Sequence, residues 1–112
     1  MTPRAGIVSQ GAVPGTEATL KLELERIRTL IETRTYASAL AEALQLAQSA
    51  PENRDVLYSI AVSQRYLRQE HAALETLRRL EALHPDYSRL HQEIGYCRVG
   101  LRDGPGAFEA FL

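Results

Sequence analysis

A chain of 112 residues, 45% of them apolar, is long enough for one small domain, and none of its apolar runs is long enough to span a membrane. Its 13 basic and 14 acidic residues are mixed along the sequence and leave a net charge of −1, so charge gives no reason to expect nucleic acid or an anionic membrane as partner. Cys97 is the only cysteine, which excludes an internal disulfide and a cysteine zinc cluster and favours a reducing compartment.

Residues 1–15, MTPRAGIVSQGAVPG, hold two of the five prolines and three of the seven glycines and show no helical period; they read as a flexible arm. The apolar centre GIV is too short, and Arg4 alone too weak a basic start, for a secretory signal, so cytoplasm is the expected location. Lys21 is the only lysine against twelve arginines, a composition associated with GC-rich bacterial coding sequences. Thr16 is placed to cap a first helix with Glu17 in its first turn. Leu20, Ile27, Leu30 and Ile31 follow at helical spacing to about Thr33, and Leu22 and Leu24 broaden the apolar surface.

A second helix is expected over Tyr36 to Gln48, capped by Thr35, with Ala37, Leu40, Ala41, Leu44 and Ala47 on its packing faces. Helices near Arg54 to Tyr66 and Gln69 to Leu83 come next. The turn between them, at Leu67 and Arg68, is so short that they must run antiparallel. Pro85 disfavours helix at His84 and closes this pair. A further helix begins near Ser88 and carries Cys97 in its interior, where the thiol reads as a small packed hydrophobe. In RDGPG, Asp103 is a cap and Pro105 an early helical residue, and the last helix then stops at Leu112 after about two turns.

Pro51 and Pro85 stand 34 positions apart, and the stretch Arg54 to Tyr87 between such marks is a two-helix unit whose pattern recurs on both sides. Ala39, Ala73 and Ala107 share one place in it, and Pro51 and Pro85 another. Small residues let two crossing helices approach closely, which suits Ala61 and Ala73, with Leu57, Ile60, Leu74, Leu77 and Leu80 filling the space around them. This pattern resembles the tetratricopeptide repeat (TPR); Arg26 and Ile27 depart from it in the first unit. The resemblance implies an all-α, right-handed superhelical solenoid of antiparallel helix hairpins over residues 16–112. Its units lie near 20–53, 54–87 and 88–112, the last incomplete.

The resemblance also implies a protein-protein interaction scaffold that holds a peptide or helix of a partner in a concave groove. Carried onto the two better-matched units, the groove positions are Asp55, Tyr58, Val62, Arg65 and Tyr66, then Arg89, Gln92, Tyr96 and Val99. Tyrosine and arginine suit an interface, since a rigid ring buries area with little entropy loss and a guanidinium forks a carboxylate or stacks on rings. Tyr58, Tyr66 and Tyr96 equally suit filling gaps between units. In the TPR subclass that grips chaperone tails, the carboxylate clamp would fall on Leu24, Arg28, Ser59, Arg89 and Glu93. Only Arg89 has the charge required there, and Glu93 would repel an anion, which argues against that clamp.

Catalytic chemistry finds no seat: there is no phosphate-binding glycine loop, no HExxH, no calcium loop and no Cys/His set at metal spacing, so neither enzyme activity nor a cofactor is expected. His71, His84 and His91 are scattered and read as surface residues, and Glu75 with Arg79 as a solvated helical pair. Two other classes stay open: a structural or oligomerising segment, and the leader of a larger bacterial enzyme such as a sulfotransferase. The apolar Phe108, Phe111 and Leu112 on a short last helix suggest a longer protein or an end-to-end homo-oligomer.

Overall fold

The computed structural model describes residues 17–102. They form five helices and no strand: α1 (Glu17–Glu32), α2 (Tyr36–Ala47), α3 (Arg54–Tyr66), α4 (Glu70–Leu83) and α5 (Leu90–Leu101). No helix among them is long and apolar enough to cross a membrane. The Thr16 cap, residues 103–106 of RDGPG and the C-terminal Phe108, Phe111 and Leu112 lie outside the described residues.

Each helix packs on the next in sequence, and α3 also touches α1 and α5. α3 is therefore buried on both sides. Val56 and Ile60 join Ile27, Ala39, Ala43 and Leu46 in one cluster. Leu57 and Ala61 join Ala73, Leu77, Leu80, Leu90 and Cys97 in the other. Ile60, expected beside the Ala61–Ala73 crossing, thus faces the preceding hairpin instead. The buried stripe of α2 is Ala39, Ala43 and Leu46, whereas Ala37, Ala41 and Leu44 of the expected packing faces are exposed.

The turns out of α1 and α3 are built alike. Arg34 and Arg68 sit 34 residues apart with φ of 62° and 65°, a left-handed conformation that side chains other than glycine rarely adopt. Thr35 N–H donates to the Leu30 carbonyl and Arg34 N–H to that of Ile31; Gln69 N–H to that of Gln64 and Arg68 N–H to that of Arg65. This paired closure of a helix end is the Schellman motif. It also explains why Thr35 does not cap α2. With its own N–H tied back and ψ at 64°, its hydroxyl meets Thr33 Oγ1 at 3.1 Å rather than the helix N–H groups. A side-chain cap is found at α3, where Asn53 Oδ1 accepts from Asp55 and Val56 N–H at 2.8 and 3.1 Å.

Because the Arg34 side chain is exposed and makes no polar contact among the described residues, its replacement reads the backbone alone. Arg34→Gly should stabilise the fold by ~0.5 to 1 kcal/mol, the left-handed penalty for a Cβ less the added freedom of the unfolded chain. Urea denaturation measures it; a loss of stability would show that the turn is not under strain. Arg68→Gly should not gain as much, because Arg68 Nε holds the buried Glu70 carboxylate at 2.7 Å.

Cys97 is fully buried in the α3–α4–α5 cluster, and burial pushes its thiol pKa up to about 11. A raised folded pKa means that this contribution to stability is complete below the unfolded thiol value, ~8.5. It is lost as pH climbs through about 11. Melting temperatures at pH 8 and pH 10.5 should therefore fall further for the natural chain than for Cys97→Ala; equal pH slopes would refute the assignment.

Candidate functional site

α1 has two apolar sides. Ile27 is fully buried among α2 and α3, whereas Leu20, Leu24 and Ile31 are half-buried and look across toward α3. α3 answers with Asp55, Tyr58, Ser59 and Val62, and the stretch entering α5 adds Tyr87 and Arg89. These walls enclose an open groove of about 980 Å³, along whose rim stand Glu17, Lys21, Glu25, Arg28, Glu32 and Arg54.

One end of the groove is an aromatic–guanidinium cluster. The Tyr58 and Tyr87 rings meet edge to face at 5.5 Å, the Arg89 guanidinium lies 5.6 Å from the Tyr58 ring, and that of Arg54 lies 5.5 Å from Tyr87. Arg89 Nη1 also donates to the Tyr58 hydroxyl at 3.5 Å. That hydrogen bond, reinforced by the charges of Tyr58 and Tyr87 when ionised, raises the Arg89 pKa and keeps it cationic. Burial, with the Asp55 charge adding to it, raises the Tyr87 pKa, so its phenol stays neutral.

A second cluster lies apart from the groove lining. Arg65 Nε and Nη2 donate to the two Glu93 carboxylate oxygens at 2.7 and 3.3 Å, and both side chains are largely buried, 17% and 6% exposed. The guanidinium is stacked between two rings, 4.3 Å from Tyr66 and 4.6 Å from Tyr96, and Tyr66 stacks in turn on Tyr36 at 4.4 Å with planes 2° apart. Burial works against the charge on Arg65, but the hydrogen bond and charge of Glu93, helped by Tyr66, more than offset it, and the pKa is raised. Gln92 Nε2 donates to the Tyr96 hydroxyl at 2.8 Å.

The residues expected in one groove therefore divide. Asp55, Tyr58, Val62 and Arg89 line it; Arg65, Tyr66, Gln92 and Tyr96 form the second cluster, and Val99 is half-buried outside both. Tyr58 faces the groove, while Tyr66 and Tyr96 stack on Arg65 yet keep 46% of their surface exposed. Glu93 does not oppose an anion in the groove, because its carboxylate is turned onto Arg65. Glu75 pairs with Arg78 at 2.7 Å and not with Arg79, which donates to the Pro51 carbonyl. Among the described residues no cluster of His, Cys, Asp and Glu is arranged to hold a metal ion.

Compared with protein-family models, with curated proteins and with solved structures, the chain matches none.

Proposed function

We propose that the chain is a TPR-like solenoid of antiparallel hairpins with right-handed superhelical turn, a scaffold that holds a peptide or helix of a partner protein in the groove between α1 and α3. The observation that carries this reading is the groove itself. Half-buried leucine, isoleucine and tyrosine form its floor, and charged side chains stand along its rim, the anatomy of a protein interface with an apolar centre and a polar edge. The recurrence of the same left-handed turn at Arg34 and Arg68, 34 residues apart, supports the repeat. Work of this kind needs no catalysis and no cofactor, and a bacterial cytoplasm is the setting the composition favours.

The test is affinity capture from bacterial cytosol with the natural chain and with groove variants. Tyr58→Ala and Arg89→Glu should lose a captured protein that Glu75→Ala, outside the groove, retains. Capture unaffected by all three would remove the groove from consideration.

A further inference from the structure

We infer, building on the groove reading above, that its occupant is an amphipathic α-helix whose apolar stripe is flanked by charges of alternating sign, rather than an extended or uniformly acidic tail. The α1 rim runs Glu17, Lys21, Glu25, Arg28, Glu32, so that sign alternates at every step along one helical face. Neighbours in this row are three or four residues apart, close enough to pair with one another. Among the described residues they make no ion pair, whereas Arg26, Arg65 and Arg78 on other surfaces each hold a carboxylate at 2.7 Å. The facing wall is mixed as well, with Arg54, Asp55 and Arg89.

Such a rim discriminates by charge pattern. A uniformly acidic segment that gains at Lys21 and Arg28 meets Glu25, Glu32 and Asp55 between and beside them, and like charges set against each other oppose docking. A helix with alternating flanks answers each position in turn. The shape agrees: the floor is a helical row, Leu20, Leu24 and Ile31, facing Tyr58 and Val62 across the gap between two helices, the surface into which the ridges of a third helix fit. α1 contributes sixteen residues, ~24 Å of wall, enough for an occupant of similar length.

The experiment uses the full chain and two displayed peptide libraries. One has a helical frame with leucine at helical spacing and flanks randomised among Glu, Lys and Ala; the other is proline-rich and extended with Asp and Glu randomised. The helical library should enrich clones with alternating flanks, their affinity falling about tenfold or more on Lys21→Glu/Arg28→Glu and returning when the clone's facing charges are reversed. Enrichment of extended or uniformly acidic clones that are lost on Tyr58→Ala would overturn the helix assignment and leave the groove reading standing. Clones from neither library depending on Tyr58, Lys21 or Arg28 would overturn both.

Discussion

Arg65→Ala should cost the fold ~3 to 5 kcal/mol, and Glu93→Ala somewhat less, because each variant strands the other half of a buried ion pair. The asymmetry follows from reach. Glu93 is 6% exposed on a short side chain and has nowhere to take its charge, whereas Arg65, 17% exposed on a long one, can swing its guanidinium toward solvent. The loss for Arg65→Ala also includes its stacking between Tyr66 and Tyr96, at 4.3 and 4.6 Å. Replacing both residues by leucine should recover most of the stability, since an apolar pair of similar volume needs no compensation. Urea denaturation of the two alanine variants and of the double leucine variant measures all three. Single losses below ~1 kcal/mol would mean that the pair behaves as a solvated surface bridge. Arg65→Glu is consequently a poor probe of partner binding: it sets two carboxylates together under the stack, and any lost binding would report a damaged α3–α5 contact.

That pair shows where reading the sequence stops. The resemblance to the repeat assigns Arg65 and Tyr96 to a concave groove, but it carries no information about whether a charge is met from within. Glu93 lies 28 residues from Arg65, and only the packing of α5 on α3 brings them together. The helix limits of α3 were legible because Pro51 and the short turn at Leu67 punctuate it on either side. Helical spacing alone left the packing face of α2 open, although the shared alanine of the repeat marked Ala39. In YASALAEALQLA the set Ala37, Ala41, Leu44 and the set Ala39, Ala43, Leu46 both recur at helical spacing, and alanine is as acceptable in water as in a core, so the pattern admits two answers. The structure buries the second.

Half of the groove was within reach of the same arithmetic. Thirty-four residues before Asp55, Tyr58 and Val62 stand Lys21, Leu24 and Arg28, and all six line it. The frame carried one unit back finds the α1 wall even where Arg26 and Ile27 break the pattern, because those two residues face elsewhere. Arg26 holds Glu42 at 2.7 Å and Ile27 lies in the core. Tyr87 lies in a turn between helices, where the helical period gives no signal.

Ala73→Leu should destabilise the fold by ~1 to 3 kcal/mol, the usual cost of forcing extra volume into a packed interior. Ala73 has no exposed surface, nor has Ala61 in the same cluster; Ala39, at the same place in the preceding unit, is equally sealed. Leu77 and Leu80 stand one and two turns further along α4, both fully buried, so a larger side chain at 73 cannot turn aside without displacing α3 from α4. The comparison that isolates this is Ala72→Leu, one residue away on the exposed side of the same helix, which should change stability by no more than ~0.5 kcal/mol. Thermal and urea unfolding of both variants, with far-ultraviolet dichroism to confirm equal helix content, gives the difference directly. If Ala73→Leu unfolds at the same denaturant concentration as Ala72→Leu, the close crossing of α3 and α4 is not tight, and the shared alanine of the repeat has some other origin.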